Sequence, residues 1–303
     1  MIPNQHTDKC CGRIPPVAFP GVIFFAAAVF IFLSSCASSP DARRTFSCFS
    51  GDSIAADIAW EELGQGFSYT EFTVAGRGAV CRCVRLDLDT PGTQAGCIPD
   101  IKEPAFRTFS PRQLEAEARR RNFSVALNTN PFEIRKTGGK KLPIPVGIIR
   151  SDGNEISAAA DRYASLGFRR NQDGKLRAEI YRSQHGNTAP TECGGFFVIL
   201  KDGIPEKFAE SRRSRSAAGL SDGGRILFIF SAVSGGILDR KGLTYMECAQ
   251  IMRSLGAEDA IQFDGGRSSV ICIKGKGTFS APAARKIPAF LWLRTGEAAE
   301  SSE

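Results

Sequence analysis

Histidine is almost missing from this chain. Of 303 residues only His6 and His185 carry an imidazole. His6 lies in a leader-like N-terminus, which leaves His185 alone for the body of the protein. A His-pair metal centre is thereby excluded, and a Ser-His-Asp triad would have to be built on His185. That residue sits in "RSQHGNTAP", a polar loop with glycine and proline, where a solvated side chain is the plain reading. Acid–base chemistry, if the chain performs it, falls to carboxylates. Strong charge of one sign is lacking as well. The net charge of +7 is diffuse. It suits an anionic substrate or surface and is too spread to argue for nucleic acid. Internal repeats and long low-complexity stretches are absent. One long apolar run stands out, "VAFPGVIFFAAAVFIFL" from Val17 to Leu33, with Pro20 inside it.

Lys9 and Arg13 precede that run and Leu33-Ser34-Ser35-Cys36 follows it. A basic start, an apolar centre and small residues before a cut site mark a secretory signal. The LSSC stretch resembles a bacterial lipobox, in which Cys36 becomes the lipidated first residue. An uncleaved anchor, for which the run is short, and simple secretion are the alternatives; all three export the rest of the chain. The expected organisation is a lipoprotein signal peptide over 1–35, a tether over 36–45, a strand-rich part over 46–110, a core over 111–295 and a disordered tail over 296–303. The expected location is the cell envelope, with a lipid anchor in a bacterial membrane. Beyond Cys36 the mature chain holds Cys48, Cys81, Cys83, Cys97, Cys193, Cys248 and Cys272. Their odd number leaves at least one thiol unpaired in a monomer. Cys81 and Cys83 share a strand face, and plain buried thiols are preferred to a zinc site. No cofactor and no metal is expected.

Downstream, strand signals dominate. "FSYTEFTV" (Phe67 to Val74) and "VCRCVRLDL" (Val80 to Leu88) read as a strand pair. "SPRQLEAEARRR" reads as a helix with Ser110 as N-cap, Pro111 at the first position and Gln113 closing a capping box. "TYMECAQIMRSLG" repeats the device with Thr244 and Glu247. "GRILFIFSAV" (Gly224 to Val233) is the most apolar segment and the expected central strand. The fold class that follows is one α/β (α+β) domain, with a mixed, largely antiparallel sheet and a few packed helices.

One short stretch concentrates chemistry. In "AIQFDGGRSSVICI", two apolar runs flank Asp264-Gly265-Gly266-Arg267-Ser268-Ser269. A hairpin turn needs only the glycines. This knot adds a carboxylate at a strand's C-terminal edge, where rigid elements aim loops at one spot. Gly265 and Gly266 let a ligand approach the backbone, and successive amides can form an anion nest. Arg267 supplies a fork suited to phosphate, and Ser268 and Ser269 supply short donors. A polar hairpin turn is the bland alternative.

The order of motifs is similar to that of the phosphodiester glycosidase family. "SLGAEDAIQFDGGRSS" resembles its helix, Leu-Gly, strand and Asp-Gly-Gly-Gly-Ser-Ser signature, with Arg267 in place of the third glycine and Gln262 where many members carry Asn. "VALNTNPFE" resembles its Asn-x-x-x-Phe strand end at Asn128 and Phe132. "PVGIIRSDG", "TECGGFFVILKDG" and "RSRSAAGLSDGGRILFIF" resemble further family segments in family order, the last with Arg215, Ser216, Ala217 and Gly219. Val233-Ser234-Gly235 lacks the Asp-Gly that many members have there. The matches run from about Phe123 to Arg294. The resemblance implies cleavage of a sugar phosphodiester, or of a cell-envelope glycan, at the anomeric carbon. It implies Asp264 as the principal carboxylate and Glu192 as a second, unless Glu192 is a plain surface residue. It implies Arg215 as the phosphate clamp, with Arg267 and the amides of Gly265 and Gly266 assisting. Asn128 orients a sugar hydroxyl or the nucleophile, or merely caps a strand end. Arg212 and Arg213 read as a solvated charge run. A non-catalytic glycan- or phosphate-binding lipoprotein on the same scaffold is the second function considered. A serine or cysteine hydrolase using His185 is the third.

Overall fold

The computed structural model describes residues 44–46, 58–100, 107–137, 139–209, 211–235 and 241–296. Cys36, the signal, most of the tether and the tail beyond 296 lie outside the described residues. Arg43–Glu303 forms one compact unit. No described helix is long and apolar enough to cross a membrane.

The protein is predominantly β, which corrects the expected balance of helix and strand. Among the described residues there are two α-helices, α1 (Pro111–Arg120) and α2 (Tyr245–Ser254). Both begin as the sequence predicts. Ser110 and Gln113 cap α1 reciprocally, and Thr244 and Glu247 cap α2. The described strand pairs are antiparallel, apart from the short parallel pairing of Arg44–Phe46 with residues 72–74. The reason is topological. Parallel neighbours need long crossovers, usually helical, whereas eight of these pairs join consecutive strands through short turns.

A nine-stranded sheet runs in the order 44–46, 67–74, 79–87, 226–234, 215–221, 259–262, 197–201 and 204–205, with 61–64 paired outside 67–74. The segment 226–234 is central, as its apolarity predicts. A five-stranded sheet follows the order 277–280, 270–273, 125–128, 290–294 and 94–98. A second runs 154–157, 149–151, 191–194, 165–170 and 176–181. The two strands of Phe132–Thr137 and Lys140–Pro145 pair only with each other.

Three apolar clusters follow from strand alternation. All three sheets share one, through residues such as Leu86, Ile229, Leu127, Ile271, Leu166 and Cys193. The outer face of the nine-stranded sheet packs under α2, through Phe230, Ala217, Ile251 and Met252. The outer face of the first five-stranded sheet packs under α1, through Leu114, Ala118, Phe123 and Phe290. The six described cysteines are buried and free. Burial pushes the Cys81 thiol well above its ordinary range and the Cys248 thiol up to about 12, so neither is poised as a nucleophile.

Candidate active site

The knot is not a hairpin turn. The strand before it, Asp259–Gln262, belongs to the nine-stranded sheet, and the strand after it, Val270–Ile273, belongs to a five-stranded sheet. Asp264 to Ser269 is therefore the crossover between two sheets. The chain is clamped on both sides as it crosses. Phe263 N donates to Ser216 O at 2.8 Å, Asp264 N to Thr129 O at 2.9 Å and Gly266 N to Ser214 O at 2.8 Å. This closeness explains the glycines. A Cβ at Gly265 would meet Ser214 O at 2.8 Å, and Gly266 has φ +60°. Arg267 is outside the left-handed region, so an L-residue is accommodated at this third position of the turn.

The expected anion nest does not form. The Gly266 amide is spent on Ser214 O, the Ser268 amide on Gly265 O and the Ser269 amide on Gly266 O. The Gly265 amide faces the Asp264 carboxylate. The backbone here shapes the crossover and holds the acid.

Asp264 is 7% exposed. Its Oδ2 accepts from Arg285 Nη2 at 2.8 Å, and Ser268 also hydrogen-bonds the carboxylate. Burial pushes its pKa upward, and this outweighs the opposing pull of Ser268, Arg285 and the Gly265 amide. Arg285 also donates from Nε to Ser268 Oγ at 2.5 Å, and its guanidinium lies 4.4 Å from the centre of the Phe132 ring. Its side chain remains 44% exposed. Carboxylate, hydroxyl and a half-open cation thus meet at one point. The loop that carries Arg285 is knit to the knot. Ala281 N donates to Ser269 O and Arg285 N to Arg267 O, both at 2.9 Å, while Arg267 Nε donates to Ala283 O at 2.9 Å. Arg267 is thus a brace for the Arg285 loop. The Arg213 side chain passes 3.9 Å from a Cβ position at Gly266, so a third cation borders the crossover.

Three expected roles change. Asn128 is buried and engaged at both ends of its amide. Nδ2 donates to Asp264 O at 2.6 Å, and Oδ1 accepts from Ser216 Oγ at 2.8 Å and Val270 N at 3.0 Å. Both ends of its amide hold the crossover in place. Arg215, expected as the phosphate clamp, is 2% exposed. Its guanidinium donates to Leu243 O at 2.9 Å and to Ser211 O, and stacks 3.7 Å above the Tyr245 ring. The two-residue strand period puts it on the face of Ala217, which packs under α2. The arginine that meets the Asp264 carboxylate is Arg285. Glu192 is neither exposed nor at the knot's acid. It is fully buried in the other five-stranded sheet, bound by Arg150 at 2.6 Å, Ser165 Oγ at 2.6 Å and Asn187 Nδ2 at 2.9 Å. A guanidinium and two donors compensate its burial, and none of them touches Asp264. Ser269 is fully buried, and its Oγ has no partner among the described residues. Arg212 pairs with Glu247 at 2.6 Å. His185 is exposed and contacts Asp161 at 2.9 Å, with no hydroxyl or thiol on its ring among the described residues.

The phosphodiester glycosidase family matches residues 121–293, more than half of the chain. The chain belongs to the phosphodiester glycosidase family. The match contains the crossover, the Arg285 loop and Asn128. Comparison with curated proteins finds no match. Among solved structures, a hypothetical protein from Synechocystis aligns with TM-score 0.57 at 16% identity, over 78% of this chain and 63% of that protein. The zebrafish N-acetylglucosamine-1-phosphodiester alpha-N-acetylglucosaminidase catalytic domain, solved auto-inhibited by its pro-peptide, aligns with TM-score 0.53 at 18% identity. That alignment covers 78% of this chain and 81% of that domain. At such identities the structural likeness speaks for the phosphodiester glycosidase fold alone.

Proposed function

We propose that the protein is an exported, membrane-anchored phosphodiester glycosidase that hydrolyses a sugar-phosphodiester bond at the anomeric carbon. The observation that carries this reading is the Asp264–Arg285 pair, a mostly buried carboxylate 2.8 Å from a half-exposed guanidinium. Such a reaction builds positive charge on the sugar and negative charge on the departing phosphate. Asp264 meets the first and Arg285 the second. Arg213 and Arg267 add positive field at the same crossover. A phosphate leaves well without protonation, so a general acid is dispensable and the poverty in histidine is no obstacle. The upward-shifted Asp264 is suited to accept a proton from attacking water.

The test is turnover by the full chain on a panel of sugar phosphodiesters, read as release of a phosphomonoester. Arg285→Ala removes a contact that exists in the bound state and strengthens as the phosphate departs. It is expected to raise KM and lower kcat together, each by about tenfold or more. Arg285→Lys keeps the charge and loses the fork, so it should fall between. One observation favours a second reading, a non-catalytic glycan- or phosphate-binding lipoprotein. Glu192 is committed elsewhere, so the described residues place one carboxylate at the crossover where glycosidases commonly use two. Binding without turnover across the panel would establish that alternative.

Anchoring rests on the LSSC stretch at Leu33 to Cys36 after the apolar run. Cys36→Ser should abolish metabolic lipid labelling and release the protein from the membrane fraction. Unchanged labelling of that variant ends the lipoprotein proposal.

A further inference from the structure

Two buried thiols meet across a seam between sheets. Cys97 lies on Gln94–Ile98, the edge strand of the first five-stranded sheet, and Cys193 on Thr191–Gly194, the middle strand of the second. Opposed sheets ordinarily stand about 10 Å apart. Here Cα atoms of the two strands come within 8 Å of one another. Small side chains allow that approach, since Ala95, Cys97 and Cys193 all face the apolar cluster that the three sheets share. Cys97 is 1% exposed and Cys193 is fully buried. Their thiols are joined by a hydrogen bond, and both are free in this structure. The other described cysteines are placed differently. Cys81, Cys83 and Cys248 lie in the cluster under α2, where the Cys83 thiol donates to Val84 O at 3.5 Å and not to another sulfur. Cys272 lies in the cluster under α1.

We propose that Cys97 and Cys193 are oxidised to a disulfide that staples the two five-stranded sheets together. A bridge needs Cα atoms no more than about 7 Å apart and side chains that converge. Strands drawn this close, with their two sulfurs already in contact, supply both. Each thiol loses its hydrogen and one electron as the S–S bond forms. The two electrons and two protons pass to a disulfide-bearing oxidant, whose own S–S bond breaks to give two thiols. Exchange of this kind needs a thiolate, and burial pushes the Cys193 thiol well above its ordinary range. The bond therefore closes while the chain folds, before the sheets seal the sulfurs off. Its effect reaches the candidate site. The first sheet carries Asn128 and receives the crossover at Val270, and the staple fixes it to the sheet of Glu192. Export would place the chain in an oxidising compartment, but the pairing of the two sulfurs is independent of that reading and of the reaction catalysed.

The experiment unfolds the full chain in urea with reductant and refolds it by dilution into reduced and oxidised glutathione, the oxidised form serving as the oxidant. Remaining thiols are alkylated with iodoacetamide in denaturant before proteolysis and mass spectrometry. The expected product is one cross-linked peptide pair holding Cys97 and Cys193, lighter by two hydrogens than the separate peptides. Cys81, Cys83, Cys248 and Cys272 should be alkylated. Cys97→Ala should leave Cys193 alkylated. The two cysteines are 96 positions apart (193 − 97), so closing that loop should raise the folded-to-unfolded ratio on the order of a thousandfold over the reduced chain, read from the urea midpoints. Alkylation of both Cys97 and Cys193 in the soluble refolded chain overturns the proposal. So does a bond from either one to Cys48 or any other cysteine, or a bridged chain that unfolds at the reduced chain's midpoint. The same trapping on the chain expressed in bacteria reads the compartment separately. Pairing in glutathione but not in cells supports the bridge and tells against export.

Discussion

Asp264→Asn is expected to lower kcat on a sugar phosphodiester by about a hundredfold or more, with little change in affinity. The same protein should be at least as stable as the parent at pH 7. The substitution keeps the side chain's shape and removes the charge that faces the developing sugar cation, an interaction made mainly in the transition state. The stability half follows from the direction of the pKa shift. Burial raises the folded-state pKa of Asp264 despite Arg285, Ser268 and the Gly265 amide. A carboxyl raised on folding favours the fold fully below its unfolded value of about 3.9 and loses that contribution as pH rises through the folded value. At neutral pH the ionised Asp264 is therefore a cost that Asn does not carry. The advantage of the variant should shrink as the pH is lowered toward 4. Thermal unfolding of both proteins across that range, beside their steady-state kinetics, measures both halves. Turnover near the parent value would show that the catalytic carboxylate lies elsewhere. A variant markedly less stable at pH 7 would show that the Arg285 pairing outweighs burial.

Asn128→Ala should produce the largest loss of stability, on the order of 3 kcal/mol. It strips partners from Asp264 O, Ser216 Oγ and Val270 N at one buried point. Buried groups left without a hydrogen bond cost about 1–3 kcal/mol each, with partial relaxation expected among three neighbours. These partners belong to the crossover and to strands of two different sheets, so the loss should spread to the whole unit. The midpoint of urea unfolding reports it. Asn128→Asp keeps the one acceptor that serves Ser216 Oγ and Val270 N but replaces the donor to Asp264 O with a buried anionic oxygen, and should be no better. If Asn128→Ala unfolds at the parent's midpoint and yet has lost turnover, the residue belongs to the chemistry and not to the scaffold.

What the sequence determined was local. Both capping boxes join residues three apart, Ser110 with Gln113 and Thr244 with Glu247, and both helices begin where those pairs place them. The strand pair beginning at Phe67 and the apolar central strand were legible because a two-residue alternation or an unbroken apolar run needs no knowledge of the partner. The Asp264 knot and the order of motifs around it pointed to the family for the same reason. Only the tertiary structure decided what the knot connects. Nothing local reveals that Asp259–Gln262 and Val270–Ile273 enter different sheets, which makes the turn a crossover and spends its amides on the scaffold. Arg215 and Arg285 show the same limit. Both are arginines near apolar strands, and the nearer match to the family motif is Arg215. Strand parity sends Arg215 under α2 against Tyr245, while a loop 21 residues past Asp264 brings Arg285 back to its carboxylate. Glu192 could be read as an exposed acid because its compensating Arg150 lies 42 positions away, on a strand paired beside it. Side-chain partners across a sheet are set by strand order, and strand order is settled only when all the faces are buried together.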